Sequence, residues 1–188
     1  MKNSKKWLLI DLIVIMAGIF MDQYTKILIR QKLPLHHYID VIKDVIQIYH
    51  VENGGSAFGM MQNQQTFFMI ITVVVLIALS YALIKLPDEK KYTALNIIFS
   101  LIFSGAVGNA IDRVQKGTVT DFIYLKIINF AVFNVADIFI TCATIALLIM
   151  FLFVYKEEDL EFLKREDGKG KKTKKTDSVA KEEGNSKS

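Results

Sequence analysis

The chain has 188 residues, 52% of them hydrophobic and 22% charged, and its formal net charge is only +4. Its one cysteine, Cys142, sits inside an apolar run, which excludes a disulfide framework and a cysteine-based zinc site. Two prolines and no serine/glycine-rich linker argue against a string of modules, and apolar runs this long exclude an ordinary soluble domain.

Four stretches are long and apolar enough to cross roughly 30 Å of hydrocarbon. The first runs from Trp7 to about Met21 and continues as a more polar helix through Ile29. The others run over about Thr66–Leu86, Tyr92–Ile111 and Ala131–Tyr155. An open spanning segment must satisfy its own backbone in lipid, so all four are expected to be helices and the fold class all-α membrane. Lys2, Lys5 and Lys6 before Leu8-Leu9-Ile10 have the look of a cleavable export signal. Asp11 interrupts that apolar region and no small-residue cleavage site follows, so a retained helix is expected.

Lysines cluster before the first span (Lys2, Lys5, Lys6) and between the second and third (Lys85, Lys90, Lys91), while the other two connections are less basic for their length. That distribution predicts cytoplasmic N- and C-termini and two connections facing outward. The first outer connection is long enough to fold. Tyr38 to Val51 shows mixed alternation and ends at Asn53-Gly54-Gly55, a turn signal, which predicts one or two short strands against the membrane surface. Residues 1–155 thus form a four-helix transmembrane domain. After Tyr155, ten basic and nine acidic residues with few apolar ones read as a disordered cytoplasmic tail over residues 156–188. The tail alternates in sign and lacks aromatics beyond Phe162, so no nucleic-acid partner is expected.

In a membrane protein the informative residues are ionisable ones near the helices, because each is costly in hydrocarbon. Asp22 and Lys26, at i and i+4, share a face and can pair. Asn109, Asp112 and Arg113 close the third helix, Asp121 lies in the connection that follows, and Asn134 and Asp137 share a face near the start of the fourth. Six residues into that helix is about 9 Å of rise, which places Asp137 at the border of the hydrocarbon. Asp22–Lys26 and Asp112–Arg113 read most simply as ion pairs that tie helix ends together. Asp121 and Asp137 have no basic residue at helical spacing. Two such carboxylates facing one another would share a proton, as an aspartic protease requires: one takes a proton from water while the other donates to the carbonyl oxygen or the leaving amine.

Other chemistries fit less well. His36, His37 and His50 lie in the outer loop without zinc-ligand spacing. Cys142 is expected to be an inert, small apolar residue facing lipid or a neighbouring helix. Ser56 with Lys26 as base would be a Ser–Lys dyad, the runner-up enzyme. Gly105 and Gly108 most simply let the third helix pack closely on a neighbour. Outside the enzymes, a small cation-coupled carrier and a non-catalytic membrane scaffold are alternatives, although no internal repeat supports the carrier.

The polar clusters also resemble, in order, the motif set of bacterial lipoprotein signal peptidase (signal peptidase II). They are Asp22-Gln23-Tyr24-Thr25-Lys26, Asn53-Gly54-Gly55-Ser56-Ala57-Phe58-Gly59, Gly105-Ala106-Val107-Gly108-Asn109-Ala110-Ile111-Asp112-Arg113, Val119-Thr120-Asp121-Phe122 and Phe133-Asn134-Val135-Ala136-Asp137. The resemblance implies an aspartic endopeptidase of the bacterial cytoplasmic membrane, with its site near the outer face. It would remove the signal peptide from diacylglyceryl-modified prolipoproteins by cutting before the lipidated cysteine. Asp121 and Asp137 then take the catalytic positions. Asp22, Lys26, Asn53, Gly55, Asn109, Asp112, Arg113 and Asn134 bind substrate or brace the site, with Asn53 and Asn134 able to hydrogen-bond extended substrate backbone. Membrane lipid is the surrounding partner, globomycin-type inhibitors are expected, and no cofactor or metal is implied. The connection between Asp121 and Asp137 is short for the family, and the charged tail exceeds its core.

Overall fold

A computed structural model describes residues 5–55 and 65–156 together with Asp159. Ser56, and nearly all of the segment read above as a tail, lie outside the described residues. The four expected helices are present as α1 (Lys5–Lys32), α2 (Gln65–Lys85), α3 (Thr93–Lys116) and α4 (Val135–Phe153), each long and apolar enough to cross a membrane. Most of α2 is exposed, with only Leu79 and Leu83 buried, and α4 turns Ile145, Leu148, Ile149 and Leu152 outward. Water would penalise such surfaces, whereas lipid does not; the chain is a multi-pass membrane protein.

Two boundaries correct the expectation. α3 continues to Lys116 rather than ending at Ile111, so Asp112 and Arg113 belong to the helix. It stops at Gly117, whose φ of +79° lets its N–H reach Arg113 O at 2.9 Å. α4 begins at Val135, not Ala131, because Asn134 caps it and Phe133 is bridged to Ile123 in extended conformation. Asp137 is therefore three residues past the cap rather than six residues into the helix.

α3 is the central helix and packs against the other three. Lipid tails supply no hydrophobic drive between helices, so close backbone approach must do the work. A methyl on Gly105 would lie 2.6 Å from Ala136 O and 2.8 Å from Ile140, and one on Gly108 would lie 2.5 Å from Asp22 Oδ2. On α1, one on Gly18 would lie 2.5 Å from Ser104 Oγ. Gly105→Ala is therefore expected to lower stability by about 1–3 kcal/mol, because backbone rather than a movable side chain must give way. Thermal unfolding in detergent checks this, and an unchanged midpoint would mean that α3 and α4 are not so tightly apposed.

At one end of the bundle Leu79, Leu83, Leu86, Leu95, Ile98 and Phe99 form an apolar core, closed by Tyr92 and Tyr155 stacked at 5.9 Å. Asp11 is buried between α1 and α3, where Asn96 Nδ2 and Ser100 Oγ donate to it.

At the other end sits a three-stranded antiparallel sheet in the order β1 (Tyr38–Ile42), β2 (Ile46–Asn53), β3 (Val119–Leu125). Of the one or two strands expected between the first helices, two are present. The third, supplied by the connection between α3 and α4, is a correction. Its run Val119-Thr120-Asp121-Phe122-Ile123-Tyr124-Leu125 is rich in β-branched and aromatic residues, the signal that marks it as strand. Register places Glu52 opposite Thr120 and Val51 opposite Asp121. The sheet thereby carries Asp121 from the end of α3 toward the start of α4.

Candidate active site

Two asparagines bring the carboxylates of Asp121 and Asp137 into one hydrogen-bonded cluster. Asn134, the N-cap of α4, accepts the Asp137 N–H on Oδ1 at 3.0 Å, and its own N–H donates to Asp137 Oδ2 at 3.1 Å, forming a capping box. Its side-chain amide donates to Asp121 Oδ1 at 2.7 Å and to Asn109 Oδ1 at 3.0 Å. Asn109, from α3, donates to Asp137 Oδ1 at 2.8 Å. On the far side, Asn53 at the end of β2 donates to Asp121 Oδ2 at 2.9 Å. Gly55, with φ at +115°, points its N–H back to Asn53 Oδ1 at 3.0 Å and so aims that amide. Asn53 and Asn134 thus hold the aspartates themselves.

Asp121 is 3% exposed. Burial first, then the Asp137 carboxylate, push its pKa up to about 7, against the lowering by hydrogen bonds from Asn53 and Asn134. Asp121 and Asp137, with Asn53 and Thr141, line a cavity of about 450 Å³ whose remaining walls are mainly apolar, among them Phe130, Phe133 and Ile138. Cys142 also lines it, so this side chain faces the site rather than lipid or helix packing alone.

A second layer fixes Asn109. Lys26 Nζ, fully buried, donates to Asn109 Oδ1 at 2.9 Å and pairs with Asp22 at 2.8 Å and Asp112 at 3.5 Å. The i,i+4 pair Asp22–Lys26 forms as expected. The expected Asp112–Arg113 pair is replaced: Asp112 turns to Lys26 and to Arg30 at 3.5 Å, and accepts the Thr120 N–H at 3.0 Å. Asp22 Oδ1 accepts the Ala136 N–H at 3.0 Å and thereby ties α1 to the first turn of α4. Arg113 makes no ion pair at contact distance with Asp112; it lies 5.7 Å from the Phe68 ring and interacts electrostatically with Asp137, Asp121 and, least, Asp112.

Sequence reasoning missed Gln23, whose amide bridges Asp22 and Gly108 O at 3.0 Å each, and Thr120, although both lie inside motifs it had quoted. Lys26 is engaged by two carboxylates and an amide, so it is not poised as a base for Ser56. Among the described residues no group of three or more His, Cys, Asp and Glu is arranged to hold a metal ion.

The chain as a whole is similar to known proteins. The family model for signal peptidase II matches residues 14–153. The chain belongs to the signal peptidase II family. A lipoprotein signal peptidase of Caldanaerobacter subterraneus subsp. tengcongensis is 46% identical over 146 residues, covering 77% of this chain and 96% of the relative. The corresponding protein of Clostridium tetani is 37% identical over 155 residues, with coverage of 80% and 96%. A solved structure described as a bacterial membrane enzyme superposes with a TM-score of 0.69 at 32% identity, over 86% of this chain and 94% of that one. The protein is thus a signal peptidase II-family peptidase, and a carrier or a passive scaffold no longer fits.

Proposed function

We propose that Asp121 and Asp137 form the catalytic pair with which this signal peptidase II-family enzyme removes signal peptides from prolipoproteins. The observation that carries this reading is the Asn53–Asp121–Asn134–Asp137–Asn109 hydrogen-bonded chain at the polar end of a mainly apolar cavity. Asp121, with its raised pKa, holds the shared proton and donates to the scissile carbonyl oxygen. Asp137 accepts a proton from the attacking water; the tetrahedral intermediate collapses as that proton passes to the leaving amine and a hydroxyl proton returns to Asp121. The asparagines fix both carboxylates without adding charge.

The preferred substrate is a diacylglyceryl-modified prolipoprotein cut just before the lipidated cysteine. Its signal helix and acyl chains stay in the bilayer and enter the apolar side of the cavity. Both termini lie in the cytoplasm, the sheet covers the outer face, and the site sits near the outer surface of the bacterial cytoplasmic membrane. Globomycin-type inhibitors would occupy the same cavity.

The test is cleavage by purified protein of a prolipoprotein with and without its diacylglyceryl group. Cleavage of the modified precursor alone, at the residue before the cysteine, is the expected result; equal cleavage of both, or of neither, would sink the substrate assignment. Ser56→Ala should cleave normally, and a dead Ser56→Ala would revive the serine alternative.

The raised Asp121 pKa gives a pH prediction. The pair works with one proton between its members, and that proton leaves as pH rises through about 7. kcat/KM should therefore fall on the alkaline side with an apparent pKa near that value, measured on a substrate without titrating groups at the cut. A profile flat between about pH 6 and 8.5 would contradict a proton held on Asp121.

A further inference from the structure

We infer that Glu52 is a positioning residue: its carboxylate fastens β2 to the corner between α3 and β3, and so sets the contact between Asn53 and Asp121. The inference rests on the aspartate-pair reading above.

Glu52 precedes Asn53, and its cross-strand partner Thr120 precedes Asp121. Neighbours along a strand point to opposite faces, so Glu52 and Thr120 meet on the face away from the Asn53–Asp121 contact. There Glu52 accepts from Thr118 Oγ1 at 2.6 Å, Thr120 Oγ1 at 2.8 Å and Lys116 Nζ at 3.2 Å. His50 Nε2 stands 3.6 Å from the same carboxylate. The donors span the turn through Gly117, where α3 hands the chain to β3. Thr120 Oγ1 also receives Lys116 Nζ at 2.5 Å and Arg30 at 3.0 Å, while its N–H is held by Asp112.

Burial pushes Glu52 toward protonation, but the hydrogen bonds from Thr118, Thr120 and Lys116 outweigh it and hold the carboxyl below its ordinary value. One charged side chain thus joins the two strands immediately beside the residues that share the 2.9 Å contact. Glu52 does not line the cavity, so it acts through Asn53 and Asp121.

The test measures kcat and KM on the lipidated precursor for Glu52→Ala, Glu52→Gln, Asn53→Ala and the Glu52→Ala/Asn53→Ala double variant, with Asp121→Asn alongside. Glu52→Ala should lower kcat about tenfold with KM within about twofold, and Glu52→Gln, whose amide oxygen still accepts from Thr120 while its NH2 can donate to the Thr118 hydroxyl oxygen, should recover most of the loss. In the Asn53→Ala background the added effect of Glu52→Ala should shrink below about threefold, because both changes break one linkage. Should Glu52→Ala fail to fold, Thr118→Val removes the shortest contact, with an expected fall in kcat of about threefold.

Unchanged kcat in Glu52→Ala, a loss carried wholly by KM, or multiplicative effects with Asn53→Ala would each overturn the inference. Unaltered kcat in Thr118→Val would do so where Glu52→Ala cannot be purified. If Asp121→Asn is inactive while Glu52→Ala is fully active, this inference alone fails. If Asp121→Asn cleaves like wild type, the aspartate-pair reading has failed first.

Discussion

Asp121→Asn and Asp137→Asn are each expected to reduce cleavage of a lipidated prolipoprotein by about 10²–10⁴-fold, with the protein still folded. An amide matches the carboxylate in shape and keeps one oxygen as acceptor, but it cannot take up or release the proton that the reaction moves. Loss of activity without loss of structure separates the catalytic pair from a merely structural cluster. Stability adds a second signature at Asp121. Its carboxyl binds its proton more tightly folded than unfolded, so wild-type stability declines as pH rises from the ordinary 3.8 to about 7, and the full penalty remains above that. Asp121→Asn removes this contribution, so at alkaline pH the variant should match or exceed wild type in thermal midpoint. Full cleavage by either folded variant would remove that residue from the mechanism.

Lys26→Met should be the most damaging substitution to the fold. The ammonium is buried with Asp22 and Asp112, all three fully excluded from solvent, and its Nζ also holds Asn109. Removing one partner from a buried ionic cluster leaves uncompensated charge and typically costs about 3–5 kcal/mol. Asp22 would retain Gln23 and the Ala136 N–H, and Asp112 would retain Arg30 and Thr120, which blunts the cost without abolishing it. The expected result is a large drop in thermal midpoint in detergent, with partial recovery in Lys26→Met/Asp22→Asn because a carboxylate leaves together with its counter-charge. Arginine should not substitute freely, since its planar fork is wider than an ammonium that fits among two carboxylates and an amide. A midpoint unchanged in Lys26→Met would show that the cluster does not hold the helices.

The helices were legible because long apolar runs leave little choice in lipid. Asp22–Lys26 was legible because four residues along a helix share a face. The proposed Asp112–Arg113 pair failed for the converse reason: adjacent residues on a helix point in different directions, so Asp112 reaches across to α1 while Arg113 meets Phe68. The start of α4 was misjudged because hydropathy continues smoothly through Ala131, Val132 and Phe133. The pattern Asn134-Val135-Ala136-Asp137, a capping box with Asp in the usual Glu or Gln position, carried the true boundary. Motif order pointed to the aspartates, but not to what touches them. The links from Asn53 to Asp121 and from Glu52 to Thr118 each span more than sixty residues, and local spacing is blind to them.

The two carboxylates come from different structural elements, one from a strand and one from the first turn of the last membrane helix. During biosynthesis the strand emerges first, and its aspartate waits with only half of the machinery in place. A chain whose final helix has not yet entered the bilayer therefore has no proton-sharing partner for Asp121 and no Asn134 to hold it. On the proposed pairing, proteolytic competence would arrive together with complete membrane integration, and partly inserted or truncated copies would stay silent toward the precursors around them.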